Sequence, residues 1–301
     1  VREAAVVGLA AIGDKRAVDR MLEMVLTDPE RTAADQSWTS LRLLVGKDRA
    51  LALSISLTLL EAGKAMFPKA EALLKDLADS PENTPEVTKA RRVLAKAYLD
   101  AGNDQAAEAY FQRILDQSAD DAEALSGIVI ALRNQGDMPG LAVIYARQIA
   151  SGGATADTSS YFLGILNTLL TAGAHRAVAE CSQQVLSSSG SGDESFRASV
   201  KELQAAALPH YFKVLVADLG GDEVAARTAR DSLAIYGRAA VSALVEGLDD
   251  ASEAARTACL ELLKPLADGQ TYGFDPAKPP AGQRDSIAQW RAWAAVAQPE
   301  K

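Results

Sequence analysis

Along most of this chain apolar residues recur three and four positions apart, the spacing of an α-helix with one buried stripe. Between residues 85 and 150 the pattern repeats itself. Gly102 and Gly136 stand 34 residues apart, and aligning on them places Leu94 over Ile128, Tyr98 over Leu132, Phe111 over Tyr145 and Leu115 over Ile149. Each block reads as two amphipathic helices joined at "AGND" or "QGDM". Glycine there takes the left-handed conformation that ends a helix, and Asp104 or Asp137 starts the next one. Ala107 is small where the two helices must approach. The frame extends outward to Gly173, 37 residues past Gly136, with Phe162, Ile165, Leu166 and Leu169 as its core, and back to Gly63, 39 residues before Gly102. A further helical pair is predicted over 196–219 and 222–236, after the flexible "SSSGSGDE" linker.

The two ends follow a different pattern. "VREAAVVGLAAIGDKRAVDRMLEMVLTD" predicts a first helix through Ala5 and Leu9, a turn at Ile12-Gly13-Asp14, and a second helix through Val18, Leu22 and Val25. "AARTARDSLAIYGRAAVSALVEGLDD" repeats it with Leu233 in the place of Leu9 and Gly237 in that of Gly13, although Tyr236 replaces the isoleucine and no Asp follows the glycine. "AARTACLELLKPLAD" starts another copy. In the tail, Pro276, Pro279 and Pro280 stop any helix, and a last one is predicted from about Gln283 or Asp285, with Ile287, Trp290 and Ala294 on one stripe. Its expected role is to cap the open end of the stack; a free binding helix is the alternative.

The 34-residue helix–turn–helix period resembles the tetratricopeptide repeat, TPR, most closely over 98–121, where Ala119 stands in place of the usual proline. The end segments resemble HEAT repeats of the short bacterial, lyase-type kind. Together these resemblances imply an all-α fold, a right-handed α-α superhelix of TPR- and HEAT-like repeats with a C-terminal capping helix. The expected organisation is HEAT-like repeats over 1–48, TPR-like repeats over 49–192, further helical hairpins over 193–268, and a Pro-rich loop with the capping helix over 269–301.

Composition narrows the functions. The chain has 301 residues, 48% hydrophobic and 5% aromatic, which favours closely packed helices over a β-sandwich. A net charge of −9 with no Lys/Arg cluster argues against nucleic acid as partner, and no apolar run is long enough to insert in a membrane. Cys181 and Cys259, 78 residues apart, read as small buried apolar residues, unpaired because each hairpin touches only its neighbours. His175 is expected at a turn and His210 in a break after Pro209, neither with a second ligand at i+4. The "SSSGSGD" stretch lacks the phosphate-loop pattern, and paired acids such as Asp120-Asp121 and Asp249-Asp250 fit helix closing and capping. The sequence therefore offers no catalytic constellation, no metal site and no cofactor.

What remains is a surface. In TPR proteins the first helices of successive repeats line a concave groove, and counting back from each turn glycine names the residues that face it. Ala50, Leu53 and Leu57 come first, then Lys89, Arg92 and Lys96, then Ser126, Ile130, Arg133 and Asn134, then Leu163, Asn167 and Leu170. Gly127 and Gly164 stand where a two-carboxylate clamp for chain termini needs polar side chains, which rules out that clamp. Three cations on one stripe of an acidic chain suggest a spot for an acidic peptide segment; a solvated charged face is the bland alternative.

The expected function is a non-catalytic scaffold that binds a protein or peptide. Because Val1 falls inside a helical pattern, the chain is also readable as a fragment or processed product. It is then the accessory region of a larger enzyme or redox protein whose catalytic part precedes it. A lyase activity would rest on the repeat alone. Apolar residues over Val1 to Leu9 make self-association a further expectation.

Overall fold

The computed structural model describes residues 4, 7, 8, 15–46, 48–189, 192–250 and 252–297. The expectations for residues 1–14, the first HEAT-like helix and its turn, lie almost wholly outside them. Every regular element among the described residues is helical, with no strand. The fold is an all-α helical repeat, and its chain forms two compact units, 1–144 and 145–301. Among the described residues no helix is long and apolar enough to cross a membrane.

The first unit contains α1 (Val18–Thr27), α2 (Arg31–Val45), α3 (Arg49–Glu61), α4 (Phe67–Ala78), α5 (Pro85–Asp100), α6 (Asp104–Leu115), α7 (Ala122–Gln135) and the start of α8 (Met138–Ala150). Helices consecutive in sequence pack as hairpins: α1 on α2, α3 on α4, α5 on α6, with α4 on α5 and α6 on α7 joining one hairpin to the next. First helices also meet, α3 with α5 and α5 with α7. One joint is different. The helices α2 and α3 touch only sparsely, although residues such as Met21, Leu41, Leu59 and Leu73 share one core beneath them.

The helix boundaries follow from local chemistry. Gly102 and Gly136, with φ of 72° and 71°, take the left-handed turn that a side chain resists, as predicted. Asp137 caps α8 by accepting from the Gly140 amide at 2.9 Å. At the other turn the cap is Asn103, not Asp104: its side chain accepts from the Ala106 amide at 3.3 Å, and Asp104 enters the first helical turn. Either residue type can cap; in both turns the cap is the residue directly after the glycine, and after Gly102 that residue is Asn103.

Buried arginines close the hairpin joints. Arg91 of α5, 5% exposed, donates from Nε to the Ala78 carbonyl (2.9 Å) and from Nη2 to that of Ser80 (2.7 Å). These are carbonyls that the end of α4 leaves without helical partners. Burial, with Arg113 nearby, pushes the Arg91 pKa down.

The second unit contains the end of α8, then α9 (Ala156–Thr171), α10 (His175–Ser187), α11 (Glu194–Asp218), α12 (Glu223–Tyr236), α13 (Val241–Gly247), α14 (Glu253–Leu263) and α15 (Arg284–Ala297). The helix α9 packs on α10 and α11, α10 on α11, and α13 on α14 and α15. Arg197 repeats the role of Arg91, donating to the carbonyls of Leu186 (2.8 Å) and Ser188 (3.2 Å).

Pro209 does not break the chain as expected. It sits inside α11, which runs unbroken for 25 residues. Packing against α9, α10 and α12 over that length outweighs the one lost hydrogen bond.

The tail docks as a cap. Trp290 is fully buried, its Nε1 donates to the Thr271 carbonyl (3.2 Å), and its ring meets Tyr272 and Trp293 edge-to-face at 4.8 and 5.3 Å. Gln283 holds the Pro-rich loop, accepting from the Asp275 amide and donating to the Asp275 and Lys278 carbonyls. Both cysteines are free and buried.

Candidate functional site

The helix α5 buries Val87, Ala90, Arg91, Leu94, Ala95 and Tyr98 on one stripe. That stripe turns Lys89, Arg92 and Lys96 the other way, and all three line one open cavity of about 760 Å³ with Thr84, Thr88, Val93 and Glu123. Thr84 caps α5, accepting from the Val87 amide at 3.4 Å, and Pro85 follows at a first-turn position where no amide proton is missed. The sequence-predicted cations are therefore brought together.

They are not bare. Arg92 Nη2 lies 2.5 Å from Asp121, which is itself the cap of α7 through the Ala124 amide at 2.9 Å. Arg92 Nε lies 2.8 Å from Glu123, and Lys96 also pairs with Glu123. The cap of α7, Asp121, and the acid of its first turn, Glu123, thus partly neutralise a stripe that looked purely basic in sequence. Lys89 is exposed and has no ion pair among the described residues. Reversal of Arg92 and Lys96 to glutamate, which the sequence alone suggests as a clean test, breaks the α5–α7 ion network as well.

On α7, Ser126, Ile130, Arg133 and Asn134 are exposed, with Ile130 at 44%. Asn134 donates to Asp104 at 2.9 Å and so is tied to α6. In the second unit, Leu163 of α9 is half-buried, and exposed Asn167 donates back to the Leu163 carbonyl at 3.0 Å.

Two apolar assignments change. Leu53 is buried, because α3 is covered by α4 on one side and α5 on another. Gly127 faces the core: a Cβ there would lie 2.2 Å from the Phe111 ring. It therefore says nothing about a clamp, whereas Gly164 does face open space.

Sequence reasoning missed two features. The first is a groove of about 820 Å³ at the sparse α2–α3 joint, lined by Trp38, Arg42, Leu43, Arg49, Leu73 and Leu77. Across it Arg42 pairs with Asp76 at 3.3 Å; at its end Arg49 grips Glu82 with two hydrogen bonds of 2.7 and 2.5 Å. The signal was the run "LRLLV", too apolar for one stripe, which leaves Leu43 73% exposed. The second is the meeting of the two histidines. His175 opens α10, His210 lies on the antiparallel α11, and their rings stack 4.2 Å apart, 12° from parallel. Parallel rings do not aim their nitrogens at a common point, and among the described residues no group of three or more His, Cys, Asp or Glu is placed to hold a metal ion.

Residues 1–27 match the PBS lyase HEAT-like repeat. No curated protein and no solved structure matches the chain. The match and the hairpin packing agree on a helical repeat, and α1 lies within the matched residues.

Proposed function

We propose that this chain is a non-catalytic helical-repeat scaffold that holds an extended protein or peptide segment, acidic in character, on the α5–α7 face of its first unit. The α5–α8 stretch is TPR-like on this reading, its first helices side by side and their outer stripe available to a ligand. The observation that carries the reading is the convergence of Lys89, Arg92 and Lys96 on one cavity. Large surface per residue is what hairpin stacks offer to partners. Long peptides laid along such a face gain affinity from several shallow contacts rather than one deep pocket.

A photo-crosslinking residue at Thr88, which lines the cavity, tests this directly. Adducts with protein partners should form in the intact chain and disappear in a Lys89→Glu/Lys96→Glu variant whose helical signal and melting are unchanged. Adducts that persist in that variant place the binding surface elsewhere.

A further inference from the structure

The two acids that face the α5 cations are not equivalent. Asp121 is committed to the fold: it caps α7 and fixes Arg92 Nη2 from behind, with its side chain only 19% exposed. Glu123 is 43% exposed and lines the cavity itself. It reaches back to both Arg92 and Lys96, the two cations that a ligand carboxylate would meet. Its fit is imperfect. Although Glu123 lies 2.8 Å from Arg92 Nε, the angle does not make a hydrogen bond, and that buried N–H has no partner. A buried guanidinium N–H without an acceptor is an open demand for one.

We infer that Glu123 is an internal stand-in for the ligand's carboxylate, occupying the Arg92–Lys96 site until an acidic peptide displaces it. The inference rests on the peptide-binding reading above and adds which group recognises the ligand and what competes with it. Asp121 keeps Arg92 in place when Glu123 leaves, so the site is pre-organised. Exposed ion pairs are weak, so Glu123 yields readily to a carboxylate that approaches in line with the Nε–H and also reaches Lys89. Glu123 thereby sets a threshold: peptides with a single acid exchange one carboxylate for another, whereas those with several gain the Lys89 contact as well.

The test is fluorescence anisotropy of a labelled hexaglutamate peptide, with hexalysine as control, against the whole chain. Glu123→Gln and, as a second variant, Glu123→Ala should bind hexaglutamate roughly three- to tenfold more tightly than the parent, the scale of one like charge removed near the surface. The gain should fade in high salt. Lys89→Ala should weaken binding in both backgrounds. If the parent binds and neither Glu123 variant binds more tightly, the stand-in role is wrong while the peptide-binding reading survives. A gain that Lys89→Ala and Lys96→Ala leave untouched also overturns it, since the peptide then sits elsewhere. If no protein of the set binds hexaglutamate, the acidic-peptide reading itself fails and takes this inference with it.

Discussion

Tyr211 of α11 donates its phenolic proton to Glu180 of α10, 2.6 Å away. In the other unit Tyr98 of α5 makes the same bond to Glu71 of α4, also at 2.6 Å. Both carboxylates carry a cation one helical turn away, Arg176 for Glu180 and Lys75 for Glu71. Each tyrosine is nearly buried and ties a first helix to the second helix before it.

Replacing these tyrosines should therefore loosen the joints between hairpins. We expect Tyr98→Phe to cost about 1–2 kcal/mol in urea unfolding, since the bond goes to a charged group. Tyr211→Phe should cost less, because Glu180 is more exposed than Glu71 and water replaces the lost donor.

The same bonds set the pH limits of the fold. The Tyr98 hydroxyl, then Lys75, holds the Glu71 carboxyl below the usual range, so its stabilisation is present above the ordinary carboxylate pKa and is lost as pH falls through the depressed value. On the alkaline side, burial and then Glu180 push Tyr211 up to about 12, and burial with Asp79 does the same to Tyr110. A raised acid favours the fold only while protonated, so stability should decline as pH rises from about 10 towards 12. Thermal melts across pH 3–12 should show both declines, with the acid one reduced in Tyr98→Phe.

Two glycines on first helices should respond in opposite directions. Gly127→Ala drives a methyl into the Phe111 ring and should destabilise by about 1–3 kcal/mol. Gly164→Ala meets open space and should stabilise by about 0.5–1 kcal/mol, as alanine does in a helix interior. Equal effects in chemical denaturation would contradict the inward placing of Gly127 and the outward placing of Gly164.

Trp290 closes the second unit, and Trp290→Ala should cost about 3–5 kcal/mol. Hydrogen exchange should then accelerate first in α13 and α14, against which the tail lies. Were Trp290 instead part of a free binding helix, exchange there would not change.

Cys181 and Cys259 should stay inert to thiol reagents in the folded chain. Burial pushes each thiol up to about 12, with Glu180 adding to the first and Asp250 to the second, so almost no thiolate exists at neutral pH. Labelling should appear only with unfolding, at a rate that reports the opening of the second unit.

The sequence by itself determined the helices. Their 3.6-residue spacing, the turn glycines and the capping side chains act within a few residues of each other, so Gly102, Gly136 and the α5 core stripe were readable without a structure. The cationic stripe of Lys89, Arg92 and Lys96 was readable for the same reason: one helix face is set by local geometry.

Only the tertiary structure decided what that face meets. Asp121 and Glu123 lie about thirty residues from Arg92 in sequence, and nothing in a helical period says that α7 starts beside α5. Packing across helices likewise turned Gly127 inward, carried α11 through Pro209, opened the groove beside Trp38 and set His175 against His210. Each of these depends on how side chains of separate helices share space, a non-local outcome that periodicity cannot encode.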